Sequence, residues 1–467
     1  MQSFIPRLKK FGALVLRSVR GEALDFTQGN ISASILLLAI PMILEMMMES
    51  TFAVVDIYFV SRIGVDAVAT VGLTESILTL VYSLAFGSSM AVTAMVARRV
   101  GEKNLGDASR TAMQAIWLSL GLASVISVAG LFLAENILLL MGAEPGMAHA
   151  NAGYTRWMLG GNYVIMLIFM HNAIFRGAGN PFLAWYALGI SNGLNIILDP
   201  MLIFGWGPFP QLGLEGAAIA TNIGRGVGVL FQLYFLFFGN RQVCLKKYVS
   251  LDWKIIRRMV VLSTGGTGQF LIASASWVFL MKIMAHFGSE NLAGYVLGIR
   301  VLVFTILPAW GLSNAAATLV GQNLGAGLPD RAEQAVWRTG WFNMAFMGLV
   351  ALVYYFLPEQ VLGLFDVTGD VLVSGVRTLK LVSLGYLFFA WGMVFAQAFN
   401  GAGDTQTPTW MNFIVFWLLQ IPVAYLTSIV MDLGPVAVLV CIAAAEGVLA
   451  AMSWVVFRRG KWKLRQV

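Results

Sequence analysis

Five polar side chains stand inside long apolar stretches of the sequence, where they could bind and release a small cation. Glu45, Glu49 and Asp56 lie in an early stretch, and Asn195 and Asp199 lie in a later one. Each residue turns a helix by about 100°, so the three early acids lie within about 40° of one another on one helix face. Asn195 and Asp199, at i and i+4, also share a face. Ionisable groups inside a membrane span are costly and indicate functional sites by default.

Buried carboxylates of this kind can exchange a proton or a small cation. A carboxylate in a low-dielectric pocket loses solvation, and a second carboxylate nearby adds repulsion, so both effects favour the protonated form. Such a site binds a proton or a cation and releases it when its access to solvent changes. Pro41 precedes Asp56 in the same stretch. Because proline lacks a backbone donor, it can kink this helix and so move the acidic face. The pattern predicts ion-coupled transport.

The same residues also have purely structural interpretations. Asp56 could be capped or ion-paired near a helix end. Asp199 precedes Pro200 and could belong to a local helix break. Glu45 could bond to a neighbouring helix. Glu75, in the second predicted span, has no evident partner in the sequence, and its role stays open.

The composition requires a membrane environment. The chain has 467 residues, of which 58% are apolar and 11% are charged. A soluble protein carries about 25% charged residues, so most of this surface must face lipid. Many apolar stretches reach the roughly 20 residues that a helix needs to cross a bilayer. We predict an all-α membrane protein with twelve transmembrane helices, at 34–60, 67–97, 112–134, 154–176, 181–204, 214–238, 256–286, 291–321, 338–357, 374–399, 407–429 and 434–457.

The net charge of +7 is distributed as in a membrane protein rather than a nucleic-acid-binding one. With twelve spans, the even-numbered loops and both termini share one side, and that side holds most of the basic residues, among them Arg7, Lys9, Lys10, Arg98, Arg99, Arg241, Lys246, Arg258, Arg331, Arg458 and Lys463. The opposite loops hold Arg62, with Arg156, Arg377 and Lys380 just inside the neighbouring spans. This bias predicts a multi-pass protein of the cell (cytoplasmic or inner) membrane with both termini in the cytoplasm.

An internal repeat organises the chain. An ungapped shift of 224 residues superposes Gly64 on Gly288, Gly87 on Gly311, Gly101 on Gly325, Trp117 on Trp341, Gly161 on Gly385, and Phe175-Arg-Gly-Ala-Gly on Phe399-Asn-Gly-Ala-Gly. The second copy starts after six predicted helices, so both copies enter the membrane in the same direction. Parallel repeats pack around a pseudo-twofold axis along the membrane normal, with a central cavity between them. We therefore expect two six-helix bundles in a V-shaped arrangement.

The repeat predicts five segments. They are an N-terminal cytoplasmic basic segment at 1–30, a first lobe at 31–238, a cytoplasmic linker at 239–255, a second lobe at 256–457 and a basic cytoplasmic tail at 458–467. The stretch 7–20 either lies on the membrane surface as an amphipathic helix or forms a disordered tail.

The acidic residues belong to one copy of the repeat. At the shifted positions the second half has Ala273, Leu280, Leu419 and Val423 for Glu49, Asp56, Asn195 and Asp199. The halves therefore share a scaffold but not a chemistry. In the second half Lys282, Arg300 and Glu446 either line the cavity or extend to a membrane surface. Arg225 and Glu446, at roughly equivalent repeat positions, could also form a structural pair.

Several motifs resemble those of the MATE (multidrug and toxic compound extrusion) transporters. They are Ala39-Ile-Pro41, Val54-Val-Asp56, Gly64, Ala67-Val-Ala69, Asn172-Ala-Ile-Phe-Arg176-Gly-Ala-Gly-Asn-Pro181, Phe399-Asn-Gly-Ala-Gly-Asp404 and Gln420-Ile-Pro422. The resemblance covers essentially the whole chain. It implies a monomeric exporter of small organic compounds, often cationic, by antiport against H⁺ or Na⁺. These ions are the only cofactors it implies.

The resemblance also implies a cation site. Asn195-Ile-Ile-Leu-Asp199 is similar to the DinF-type and archaeal branch of the family. In that branch this pair joins an aspartate of the first helix and a threonine of the sixth, here Asp56 and Thr221. These four residues would bind the H⁺ or Na⁺ whose movement is coupled to export. The other branch carries acids in its seventh and tenth helices, which this sequence lacks, so no Na⁺ site is expected in the second lobe.

Further residues are expected around the cavity. Tyr154 and Asn172 are similar to the polar lining of the family's first lobe. Glu45 and Glu49 are also expected there, and Glu49 stands where the family more often has a glutamine, so it adds a third acidic group to the site. Met42 belongs to a methionine-rich stretch that could repack around varied substrates, although most such residues are lipid-facing or core.

Two other functions were weighed. The first is a flippase for a lipid-linked saccharide, a protein of similar two-lobe architecture that would need a basic cavity. The acidic face argues against this function, whereas Lys282 and Arg300 in the second half leave it open. An enzyme is not expected, because the sequence has no HExxH, no GxSxG in a catalytic context, no metal-ligand cluster and no Walker A loop.

Overall fold

The computed structural model describes residues 12, 15–18, 25–239 and 242–467, and nearly all of them are helical. Most of the predicted segment 1–30 lies outside the described residues, including most of its stretch 7–20 and the residues Arg7, Lys9 and Lys10. Arg241 lies outside them as well. The helices of the first half are α1 (Ile31–Ser61), α2 (Val65–Gly101), α3 (Leu105–Leu140), α4 (Pro145–Gly160), α5 (Tyr163–Gly177), α6 (Pro181–Phe204) and α7 (Leu214–Tyr234).

The second half repeats this order with more interruptions. Its helices are α8 (Trp253–Ala285), α9 (Ser289–Gly325), α10 (Pro329–Phe356), α11 (Pro358–Gly363), α12 (Gly369–Leu384), α13 (Tyr386–Gly401), α14 (Gln406–Asn412), α15 (Ile421–Tyr425) and α16 (Pro435–Arg458). The π-helical segment Phe413–Gln420 joins α14 to α15, and a second one, Leu426–Val430, continues α15.

The helices agree with the predicted number of spans. Within the described part of the chain, ten segments are long and apolar enough to cross a membrane, and the bent pair α12 and α13 makes an eleventh. Helix α7, which carries the buried Arg225 and packs along α6, completes the predicted twelve. The prediction of an all-α membrane protein is confirmed.

Two predicted spans are each broken into two helices. The span predicted at 154–176 consists of α4 and α5, which are joined at Gly161. The span predicted at 374–399 consists of α12 and α13, which meet at Gly385 with a bend of 54°. The 224-residue shift relates the two glycines. Glycine is a weak helix former, so the helix breaks at the same place in each copy.

The pseudo-twofold symmetry is visible where the two halves touch. Helix α1 packs on α9, and α2 packs on α8. A Cβ atom on Gly87 would overlap the backbone of Thr267, and one on Gly311 would lie 3.0 Å from Cα of Ile43. The same shift of 224 residues relates Gly87 to Gly311 and Ile43 to Thr267. The halves therefore meet through matching contacts, where the missing side chain lets the backbones approach.

A second matching pair closes one end of the molecule. A Cβ atom on Gly101 would overlap the carbonyl of Gln322, and one on Gly325 would overlap the carbonyl of Arg98. Gln322 also donates a hydrogen bond of 3.0 Å to the carbonyl of Gly177. We call this end the tail face, because residues 458–467 pack against it. The backbones of the two halves are therefore in direct contact here.

The tail bridges the two halves at this face. Arg98 and Arg99 of α2 donate hydrogen bonds of 3.0 and 3.1 Å to the carbonyls of Arg465 and Val467. Arg465 in turn donates to Asp404, which follows α13, at 3.2 Å. These contacts join a helix of the first half to a loop of the second.

The tail is also held to its own half. The Trp462 ring is buried and stacks on Phe457 with 4.8 Å between ring centroids. The hydrogen bond to Glu333 raises the pKa of Lys463 above its ordinary value of 10.5. The raised lysine pKa means that the lysine's contribution to stability is fully present below pH 10.5 and is lost as the pH rises further. Lys463 also lowers the pKa of Glu333, so the glutamate's contribution is lost at acidic pH.

We expect Gly101→Ala to destabilise the closed tail face. The added methyl would press on the Gln322 carbonyl, and backbone atoms cannot move aside cheaply. Overpacking of this kind costs roughly 1–3 kcal/mol. Thermal unfolding of the purified protein in detergent should show a lower midpoint. The control is Gly121→Ala on α3, where a Cβ atom meets nothing within 4 Å. Equal midpoints for the two variants would contradict the close approach.

Candidate functional site

A cavity of about 390 Å³ opens among the helices of the first half. Its charged lining residues are Glu45, Glu49 and Asp56 from α1, Glu75 from α2 and Arg225 from α7. The remaining walls are mostly apolar or aromatic and are formed by Met46, Ser50, Phe52, Ala53, Ile57, Val71, Tyr82, Phe86, Ile168, Phe169, Asn172, Leu188 and Leu307. Four carboxyl groups and one guanidinium therefore share one small space, most of which is apolar.

Glu45 is held by a buried ion pair. Its Oε1 accepts hydrogen bonds from Asn172 Nδ2 at 2.9 Å and from Arg176 Nη1 at 3.2 Å. The side chains of Glu45 and Arg176 are only 2% and 8% exposed. Thr318 of α9 donates to the carbonyl of Arg176 at 3.1 Å, which ties this cluster to the second half. Because the charges are paired, Glu45 is neutralised within the protein.

Glu49 forms a second ion pair, and both of its partners line the cavity. Its Oε1 accepts a hydrogen bond of 2.9 Å from Arg225 Nη2. The Arg225 side chain is 4% exposed, whereas Glu49 is 27% exposed. The ring of Phe52 covers the guanidinium, with 5.0 Å between the guanidinium carbon and the ring centroid. A cation over an aromatic face is stabilised further when both are shielded from water.

Asp199 belongs to a polar cluster beside the cavity. Asn195 Nδ2 donates to Asp199 Oδ1 at 3.2 Å and to Thr221 Oγ1 at 3.3 Å. All three side chains are buried. Asp199 Oδ2 and Asn195 Oδ1 have no hydrogen-bond partner. Two buried oxygens without donors are costly, and a proton or a small cation would satisfy them.

The cluster brings together three of the four residues expected at the cation site. Asp56, the fourth, lines the cavity and interacts electrostatically with Asp199 without a hydrogen bond between them. In the described chain no three His, Cys, Asp or Glu side chains form a metal-binding group. The donor set available to Na⁺ is therefore carboxylate, amide and hydroxyl oxygen, which suits a hard cation. Tyr154 is buried within electrostatic range of Asp56 and Asp199.

Two expectations about α1 differ from the structure. Met42 was expected at the cavity, but it is fully buried in a cluster with Ile35 and Leu38 and packs against α9 at Gly311. Met46, one turn later, lines the cavity instead. Pro41 lies inside an α-helix that runs unbroken from Ile31 to Ser61.

The sequence did not reveal the basic partners of the acids. Arg225 pairs with Glu49 and not with Glu446, so the structural pair considered from the repeat is absent. A signal for Arg225 existed, because it follows Thr221 at i+4 and so shares its helix face. Arg176 stands in the motif Asn172–Pro181, and nothing in the sequence indicates that it pairs with Glu45. Glu75, whose role stayed open, lines the cavity near Asp56.

The second half has a different cavity. Its volume is about 270 Å³, and its lining is Met90, Gln269, Phe270, Ala273, Ser274, Trp277, Ile306, Trp310, Phe389, Met393, Ala396, Gln397, Asn400 and Asn412. None of these residues is charged. Lys282 and Arg300 are exposed and line neither cavity, and Glu446 is buried away from both with its Oε2 unpartnered. The chemistry of the two halves therefore differs, as the shifted sequence predicted.

A two-lobed bundle of membrane-spanning helices with polar groups in a central cavity is a transporter architecture. The family model MatE matches residues 41–201 and 267–426, one match in each half of the chain. These matches cover more than half of the sequence, so the chain belongs to the MATE family of membrane transporters.

Relatives and solved structures agree with this assignment. The chain is 26% identical over 440 residues to a probable multidrug resistance protein NorM of Thermotoga maritima, with 94% of each chain covered. It is 26% identical over 401 residues to the probable multidrug resistance protein YoeA of Bacillus subtilis, with 85% of this chain and 86% of the relative covered. A solved structure of a multidrug resistance MATE family transporter in an outward-facing conformation superposes with a TM-score of 0.87 at 25% identity, over 95% of this chain and 99% of that one. The two-lobe fold is confirmed.

We expect Glu45→Ala to destabilise the protein strongly. The substitution leaves Arg176 buried without its carboxylate, and an unpaired buried charge costs roughly 3–5 kcal/mol. The midpoint of thermal unfolding in detergent should fall well below that of Glu359→Ala, which removes an exposed acid from α11. The double variant Glu45→Ala/Arg176→Met removes the charges together and should recover part of the loss. A single variant as stable as the control would show that the pair contributes nothing.

Proposed function

We propose that this protein is a secondary active exporter that exchanges organic compounds, often cationic, for H⁺ or Na⁺. The observation that supports the proposal is the set of carboxyl groups without a basic partner in the first lobe. Glu45 and Glu49 are paired with Arg176 and Arg225, whereas none of the described basic side chains lies within 4.0 Å of the Asp56 carboxylate. An acid in a largely apolar cavity binds a proton, a metal cation or an organic cation, and these ligands compete for it.

The relatives support the exporter over other transport activities. Two of the compared proteins are described as probable multidrug resistance proteins. The Asn195-to-Asp199 motif and the hydrogen bonds among Asn195, Asp199 and Thr221 favour the DinF-type and archaeal branch. The flippase loses its remaining support, because Lys282 and Arg300 are exposed and leave the second cavity without basic groups.

The closed tail face suggests how exchange occurs. The positive-inside rule places the tail face, with Arg98, Arg99 and Lys463, in the cytoplasm of the cell. Because the glycine contacts hold the two halves together at that face, we take this conformation as the outward-facing one. The similarity in fold to a relative in an outward-facing conformation supports this interpretation. Ions entering from outside would bind at Asp56 and Asp199 and displace the substrate. Separation of the lobes at the tail face would then expose the site to the cytoplasm.

Exchange is obligatory only if each ligand favours a different conformation. A ligand that binds both conformations equally does not shift the equilibrium between them, however tightly it binds. The ion and the substrate both need the Asp56 carboxylate, so one monomer cannot hold both there at once. Competition for one carboxylate couples export to the ion gradient without a nucleotide or a catalytic step.

We expect Asp56→Asn to abolish ion-driven export and leave membrane insertion intact. Asparagine keeps the shape of the side chain but cannot take up a proton or hold a cation by charge. Efflux of ethidium from proteoliposomes, driven in turn by an imposed pH gradient and an imposed Na⁺ gradient, measures the effect and identifies the coupling ion. Asp66→Asn on α2, an exposed acid outside the cavity, is the matched control. Wild-type rates for Asp56→Asn under both gradients would refute the mechanism.

A further inference from the structure

Arg225 is a buried cation in the cavity that the proposed exchange does not use. The residue is 3% exposed, yet only one of its three guanidinium nitrogens is hydrogen-bonded. Nη2 donates to Glu49, whereas Nε and Nη1 are buried and have no partner. Unsatisfied donors on a charged group are costly to bury, more so than on a neutral one. The arrangement is incomplete as a structural ion pair.

The other buried pair of this lobe has its unpartnered atom on the acid, because Glu45 Oε2 is buried without a hydrogen-bond partner. Arg176 donates to Glu45 through Nη1, and none of its nitrogens is left buried without a partner. Glu45 itself accepts a second hydrogen bond from Asn172. Of these two arginines, only Arg225 has guanidinium nitrogens that are buried without a partner. Arg98 Nη1 and Arg331 Nε are also buried without a partner, but neither residue lines the cavity as Arg225 does, so the position of Arg225 points to a ligand.

The position of Arg225 suits a role in substrate binding. The residue lines the cavity, and so do Glu49 and the Phe52 ring that covers the guanidinium. Phe52 holds the plane of the guanidinium, and a fixed planar fork matches the two oxygens of a carboxylate. Four titratable groups interact electrostatically with Arg225, and all of them line the cavity: Glu49, Glu75, Asp56 and Tyr82. The guanidinium of Arg225 and the carboxyl groups of Asp56 and Glu75 therefore line one space of about 390 Å³.

We infer that Arg225 is a specificity-determining residue that binds the anionic group of an amphoteric substrate, while the Asp56 and Glu75 side of the cavity binds its cationic group. This inference rests on the proposed exporter and defines its substrate class as organic molecules that carry a carboxylate together with an ammonium. A purely cationic compound meets the carboxyl groups as well, but it leaves the free donors of Arg225 unsatisfied. Selectivity between the two kinds of substrate therefore depends on this one side chain.

A matched pair of probes tests the inference. Norfloxacin carries a carboxylate and an ammonium, and its ethyl ester keeps the ring and the ammonium without the carboxylate. Equilibrium binding of both probes to the purified protein in detergent is measured for the wild type and for Arg225→Gln. A hydrogen bond to a charged group is worth enough for the affinity for norfloxacin to fall roughly 10- to 100-fold. The affinity for the ester should change less than about threefold, since it makes no bond to the guanidinium.

Three further variants exclude a merely structural effect. Arg225→Lys keeps the charge without the fork and should restore part of the affinity for norfloxacin. The double variant Glu49→Gln/Arg225→Gln removes both charges of the pair together, so neither partner is left buried and charged alone, and the loss for norfloxacin should persist. Arg300→Gln removes an exposed arginine outside the cavity and should leave both affinities unchanged.

The outcomes separate the inference from the exporter on which it rests. Equal weakening of both probes in Arg225→Gln, or no weakening of either, overturns the inference while ethidium efflux still supports the exporter. A wild type that binds the ester as tightly as norfloxacin overturns it as well. Failure of the wild type to bind either probe, together with no gradient-driven efflux of ethidium, overturns the exporter itself.

Discussion

Burying a charge inside a membrane protein is costly unless the protein supplies a partner, and this constraint explains most of the first lobe. Glu45 and Glu49 face the same apolar space as Asp56, and each has an arginine within 3.2 Å. Without Arg176 and Arg225, α1 would present three uncompensated carboxylates to one small cavity. Pairing two of them leaves Asp56 without a salt bridge. The arginines thus limit the free charge of the site to what an exchangeable ligand can neutralise.

The scaffold around this site is symmetric although its chemistry is not. Gly87 and Gly311 make equivalent contacts between the lobes, and Gly101 and Gly325 make equivalent contacts at the tail face. These contacts need only the absence of a side chain, so both copies of the repeat can keep them. These contacts do not require charged side chains in either lobe. The second cavity is lined by aromatic and amide groups instead of acids. The symmetry of the contacts between the lobes therefore does not depend on the charged residues of the first lobe.

The fold was largely predictable from the sequence because its signals are local. Apolar length predicts the spans, and a constant shift of 224 residues predicts the two halves. The breaks at Gly161 and Gly385 were missed, because a helix that bends inside the bilayer keeps its apolar composition. The acidic face of α1 followed from helical periodicity alone.

The partners of the acids were not predictable in the same way. The pairs Glu45–Arg176 and Glu49–Arg225 join residues more than a hundred positions apart, so they depend on how α5 and α7 pack against α1. The place of Met42 was missed for a related reason. Helix α1 has one side towards the cavity and another towards α9, and sequence spacing does not distinguish two buried sides.

The most direct test of the account is to measure ion release when a substrate binds to the purified protein. Ethidium is added to the transporter in weakly buffered detergent solution, once with Na⁺ present and once without, while the pH and the free Na⁺ concentration are followed. The account predicts that binding releases H⁺ or Na⁺ from the wild type, because the two ligands compete for Asp56, and that Asp56→Asn releases neither. Binding without release in the wild type, or equal release from the variant, would contradict it.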